Sequence, residues 1–115
     1  MAINTVTQRN TLATAYAAAA THMALYSTVP GASAGTELTG GSPAYARKAS
    51  NWGTASASAI VAAPAAFDVA SGSTVAGIGF HTAISAGTYL DGAAVTSQAF
   101  ASQGTYTVTA TYTQV

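Results

Sequence analysis

The plainest pattern in the chain lies at its end. Over residues 105–115, Thr105, Thr107, Thr109, Thr111 and Thr113 alternate with Tyr106, Val108, Ala110 and Tyr112. A period of two puts the threonines on one face of a strand and the larger apolar groups on the other. β-Branched threonine suits the solvent side of such a strand. Residues 74–82 carry Val75, Ile78 and Phe80 and read as the most buried strand. Gly77 and Gly79 share one of its faces, which lets a neighbouring ring or backbone come close. Residues 22–28 set Met23 and Leu25 on one face and His22, Ala24 and Tyr26 on the other. Pro30-Gly31 ends that strand, because proline lacks the ladder donor and glycine tolerates positive φ.

Shorter strands are predicted between these. Residues 44–51 put Tyr45 and Arg47 on one face and Ala46 and Lys48 on the other. Residues 56–63 centre on Ile60 and Val61 and stop at Pro64, and 67–69 form a short strand. Residues 87–91 and 94–100 are read as two strands joined by a hairpin turn at Asp91-Gly92. Ser102-Gln103-Gly104 turns the chain again. Ahead of all the strands, residues 4–20 have helical spacing: Val6, Leu12, Ala13, Tyr16 and Ala20 make an apolar stripe, and Asn4 or Thr5 can cap the start. Residues 29–43 form a long loop rich in Gly, Ser, Ala and Thr, which holds Glu37 and the Gly40-Gly41 reversal.

One helix and seven or eight short strands predict a mainly β protein. The architecture is an antiparallel β-sandwich in a single domain over residues 1–115, the helix covering an open edge or end. The length suffices to bury a core without staples. There is no cysteine, which excludes disulfides and thiolate metal sites.

Charge changes the picture most. Only 5% of residues are charged, against about 25% in ordinary soluble domains, and the formal net charge is zero. The surface must be built from Thr, Ser, Ala, Gly, Gln and Asn. Little charge repulsion keeps copies apart, and burying such a surface against a partner carries little charge-desolvation penalty. A nucleic-acid partner is not expected, because Arg47-Lys48 is the only adjacent basic pair and Arg9 stands alone. No run approaches the roughly 20 apolar residues of a membrane span, so no membrane partner is expected.

Candidate chemistry is sparse. His81 with Asp68 or Asp91 and a serine is formally a hydrolytic set, but Gly-x-Ser-x-Gly does not occur. Glu37, Asp68 and Asp91 are the only acids, and with two histidines they show no metal-ligand or glycosidase spacing. The expectation is a protein with no catalytic, cofactor or metal residues. Glu37 and Arg47 are opposite charges in a chain that has almost none, and they are expected to pair and pin the long loop to the following strand. Among the aromatic residues, Trp52 beside Gly53 is the one most readily placed at an interface.

The segments Ala24-Leu25-Tyr26-Ser27-Thr28-Val29-Pro30, Gly35-Thr36-Glu37-Leu38-Thr39-Gly40-Gly41 and Tyr45-Ala46-Arg47 resemble a family of small phage structural proteins usually labelled tail fibre or minor tail protein. Val75, Ile78, Gly79, Phe80 and Ala83, then Gly87, Thr88, Leu90 and Gly92, match a later strand pair of that family. The likeness covers roughly residues 12 to 110, and its most specific piece is Gly-Thr-Glu-x-x-Gly-Gly followed by Tyr-Ala-Arg. Pro43-Ala44, inserted before Tyr45, departs from the pattern, as do His81 and Thr82 and the threonine-rich end. The resemblance implies a virion structural protein.

Such a protein is expected to act in the virion as a capsid decoration protein that binds the major capsid protein. Self-association into a homo-oligomer accompanies that reading, and Glu37, Gly40, Gly41, Tyr45, Arg47 and Trp52 are its structural or interface candidates. A minor tail or tail-fibre module contacting tail proteins, with glycan binding through exposed aromatics, is the alternative. A secreted adhesin or carbohydrate-binding domain is a further one, and it requires the first 20 residues to be a cleaved signal.

Overall fold

A computed structural model describes residues 3–115. The described residues are mainly β and antiparallel, as expected, with one helix and eight strands among them. Helix α1 spans Val6–Ala19. Thr5 caps it, its side-chain oxygen accepting the Gln8 N–H at 3.3 Å, so one of the free donors of the first turn is satisfied. The expected stripe forms only in its second half: Ala13 and Ala20 are fully buried and Tyr16 packs on the core, whereas Val6 is exposed.

The strands are β1 (His22–Tyr26), β2 (Lys48–Ala49), β3 (Ala59–Val61), β4 (Ala65–Val69), β5 (Thr74–His81), β6 (Tyr89–Ala99), β7 (Gly104–Val108) and β8 (Thr111–Thr113). Four of them make one sheet in the order β2-β1-β5-β6. The second layer is a two-stranded ribbon in two pieces, β3 with β8 and β4 with β7. Between the pieces, Ala62–Pro64 oppose only Thr109 and Ala110, one residue more on one side than on the other. Pro64 has no N–H for a ladder, so the break falls where the sequence stops the strand.

That break corrects the reading of residues 105–115 as one strand. The inward and outward alternation nevertheless runs through it: all five threonines are exposed, and Val108 and Ala110 are buried. The hairpin expected at Asp91-Gly92 is corrected too, because both residues lie inside the continuous strand β6, paired with Phe80 and Gly79. Asp-Gly favours a turn only locally, and here the ladder with β5 overrides it. Bulges instead interrupt β6, with extra residues at Leu90 and at Val95–Ser97. The expected strand at 44–51 shrinks to Lys48–Ala49.

The two layers close on Met23, Leu25, Leu38, Phe67, Val69, Val75, Ile78, Phe80, Val108 and Ala110. Met23 and Leu25 pair with Phe80 and Ile78 across β1 and β5, so this is the inner face of the sheet. Tyr16 of α1 joins it at one end, stacked on Tyr112 with ring centroids 3.8 Å apart and edge-on to Trp52 and Phe80.

Candidate functional site

The six candidate residues fall in two places. Five of them, Glu37, Gly40, Gly41, Tyr45 and Arg47, build one unit along the stretch of β1 that the short strand β2 leaves uncovered. The loop at 29–43 is not open throughout. Its residues 36–38 return along β1, with the Ser27 N–H donating to the Thr36 carbonyl (2.8 Å) and the Leu38 N–H to the Leu25 carbonyl (3.1 Å). That pairing drops Leu38 into the core and holds Glu37 at the edge.

Glu37 meets Arg47 in a bidentate pair, Arg47 Nε to Oε2 and Nη2 to Oε1, both at 2.9 Å. This is the geometry in which guanidinium and carboxylate bind most strongly. The Tyr45 hydroxyl adds a third donor to Oε2 at 2.8 Å and itself accepts the Leu25 N–H at 3.0 Å. Arg47 Nη1 donates onward to the carbonyls of Ala83 (3.1 Å) and Ala86 (2.8 Å). One ion pair therefore ties three segments together: the returning loop, the 44–47 stretch and the 82–88 turn. Burial pushes the Glu37 carboxyl up, but the bonds from Arg47 and Tyr45 outweigh it and hold the group below its ordinary value. Burial, with Glu37 beside it, pushes the Tyr45 phenol well above its ordinary value.

Gly40 and Gly41 have φ of 82° and 100°, and they reverse the chain so that the Tyr45 N–H reaches the Gly40 carbonyl at 2.8 Å. Gln103 closes over this turn, accepting from the Ser42 N–H (3.2 Å) and donating to the Pro43 carbonyl (3.1 Å). A Cβ on Gly41 would meet the Gln103 side chain. The inserted Pro43-Ala44 is thus accommodated as a clamped turn.

Trp52 lies elsewhere and faces inward. Its indole N–H donates to the Ala20 carbonyl at the end of α1 (2.8 Å), and its ring packs 5.4 Å from Phe80. The structure uses it to seat the helix.

On the outer face of the sheet, a second unit escaped the sequence reading except for its glycines. The Tyr26 ring lies along β5 over Gly79, where a Cβ would stand 2.5 Å from the ring, and its hydroxyl is hydrogen-bonded to His81 Nε2. Tyr89 sits edge-on to both rings, and its hydroxyl donates to the Gly31 carbonyl at 2.6 Å. Pro30 packs on Gly77 and Gly92. Together these cover His81, leaving it 5% exposed with no partner for Nδ1. The facing glycines at 77 and 79 were the one clue in the chain.

The structure does not bring His81 to either aspartate. Asp91 pairs with Phe80 on the other face and accepts the Tyr16 hydroxyl at 2.8 Å, and Asp68 lies opposite Thr105 in the ribbon. Among the described residues no three His, Cys, Asp or Glu side chains gather as metal ligands, and no helix is long and apolar enough to cross a membrane. A shallow groove of about 530 Å³ lies between Glu37–Gly40, Tyr45–Arg47 and Ile84–Ala86, with the ion pair in its wall. Comparison with family models, with curated proteins and with solved structures finds no match.

Proposed function

We propose that this chain is a non-catalytic virion accessory protein that docks on the outer capsid shell and stabilises it. The observation that carries the reading is how the few charges are used. Glu37 and Arg47 neutralise each other within the subunit, which leaves an exterior almost free of charge. Such an exterior can be buried against neighbouring subunits with little desolvation penalty. The loops that would meet a partner are held by side-chain bonds, so little ordering entropy is lost on docking. The resemblance of the Gly35–Arg47 segment to phage structural proteins supports the same reading, since those residues form the pinned-loop unit.

A decoration protein acts by mass action: it binds the assembled shell and not its separated subunits, so assembly is favoured by the binding free energy. Mixing purified protein with bare capsids of the phage that encodes it should give saturable, stoichiometric co-sedimentation and a higher shell melting temperature. No attachment to capsids would overturn the reading, and labelled protein found on the tail by electron microscopy would replace it with the tail-module alternative. The adhesin reading has a structural difficulty: loss of the first 20 residues would remove Ala13, Tyr16 and Ala20 from the packed interior.

A further inference from the structure

The only two histidines of the chain, His22 and His81, are Cα partners across β1 and β5. Over this pair's end of the sheet lies the tyrosine cover of His81, and that cover also fastens residues 29–36. We propose that His81 is an acid-operated latch, and that protonating it loosens the 29–36 strap from the glycine face of the sheet while the rest of the fold holds.

The strap is held at few points. Pro30 fills the space above Gly77 and Gly92, the Tyr89 hydroxyl donates to the Gly31 carbonyl, and at the far end Thr36 donates its N–H to Thr28 Oγ1 (2.8 Å) while its carbonyl accepts the Ser27 N–H (2.8 Å) and hydroxyl (3.2 Å). Between those points residues 31–34 are exposed. Neutral His81 fits beneath this cover with its proton on Nε2, facing the Tyr26 oxygen, because Nδ1 then needs no acceptor. An imidazolium does not: both ring nitrogens then carry donors, Nδ1 has no acceptor, and water cannot reach the charge.

The groups around His81 make the charge harder to hold. From β1 come His22 and the Tyr26 hydroxyl, from β6 the Tyr89 hydroxyl, and from the 44–47 stretch the Arg47 cation. Glu37 on the returning loop is the one acid on this side, and its oxygens are already taken by Arg47 and Tyr45. Asp91 and Lys48 pair with Phe80 and Met23 on the opposite face. Burial first, and Arg47 second, keep His81 below its ordinary value. A base depressed in the closed state stabilises that state above its ordinary value of about 6.5, and the stabilisation is lost as pH falls from there. Swinging Tyr89 and the strap outward gives the imidazolium its water.

Between pH 7.5 and 5, histidine is the only side-chain type here that changes charge by its ordinary pKa, because cysteine is absent. Hydrogen exchange by mass spectrometry on the full chain, corrected for intrinsic rates, tests the latch. Protection over residues 29–36 should fall roughly fivefold at pH 5, the low end of what one buried unsatisfied donor costs, with β4 and β7 unchanged. His81→Gln should remove the pH response. Equal protection at both pH values overturns the proposal, and so does a fall that persists in the His22→Gln/His81→Gln double variant. Should that variant not fold, NMR on the native chain decides: the His81 ring and the Gly31 and Gly35 amides must titrate with one midpoint, and separate midpoints reject the latch.

Discussion

Glu37 and Arg47 stand ten residues apart in a chain with three acids and three strong bases, and they meet through two hydrogen bonds of 2.9 Å. Their side chains are 26% and 11% exposed, which places the pair between a surface ion pair and a buried one. Removing the carboxylate charge leaves Arg47 half-sheltered and the returning loop without its anchor. Glu37→Gln should lower stability by about 1.5–3 kcal/mol, the range for hydrogen bonds to charged groups. Thermal unfolding followed by circular dichroism measures it, together with faster amide exchange at residues 36–40.

The same pair gives stability an acid limb. Glu37 is held below its ordinary value when folded, so its contribution is complete above that value and is lost as pH falls through the folded one. The melting temperature of the native chain should decline below about pH 4.5 more steeply than that of Glu37→Gln. Parallel slopes would show that the pair contributes nothing.

Gly79 is required by an aromatic ring and not by its own backbone angle. Its place under Tyr26 leaves no room for a methyl group. Gly79→Ala should destabilise by about 1–3 kcal/mol through overpacking and displace the Tyr26 hydroxyl from His81. A changed His81 ring resonance checks the second effect, and Gly72→Ala, where nothing lies within 4 Å, supplies a strain-only comparison at φ of 80°.

Phe67 is fully buried and stacks on Tyr45 at 6.3 Å, so the core supports the ion-pair unit directly. Phe67→Ala should cost about 3–5 kcal/mol, the range for emptying a buried phenylalanine site. It should also quicken exchange at the Leu25 amide, whose acceptor is the Tyr45 hydroxyl.

Four phenols are raised by burial: Tyr16, Tyr45, Tyr26, which is pushed up to about 12, and Tyr89. A phenol whose folded value lies above the unfolded one stabilises the fold below about pH 10 and loses that contribution as pH rises. In an alkaline absorbance titration, Tyr16 and Tyr45 should ionise only with unfolding. A smooth single-step ionisation of all six tyrosines near pH 10 in the folded chain would contradict this burial.

Much of the architecture was legible because it rests on short periods. The alternation at Thr105–Thr113, the stop at Pro64 and the open glycine face at Gly77 and Gly79 are each local signals, and each appears in the fold. The Glu37–Arg47 pair was legible for a different reason: so few charges leave few ways to pair them. What stayed hidden depends on partners remote in the chain. Asp91-Gly92 has a turn composition, and only the ladder with Phe80 and Gly79 makes it strand. Trp52 gives no sequence sign that its indole will meet the Ala20 carbonyl, and His81 none that Tyr26 will reach it across Gly79.

The internal pairing of Glu37 with Arg47 thins an already sparse set of charges. Three cations and three anions become two of each, Arg9 and Lys48 against Asp68 and Asp91, scattered over a body 47 Å long. Ionic strength then has almost nothing to screen. Whatever this exterior adheres to, sodium chloride should scarcely loosen it, whereas excluded solutes such as sulfate should tighten it by favouring the smaller wetted area.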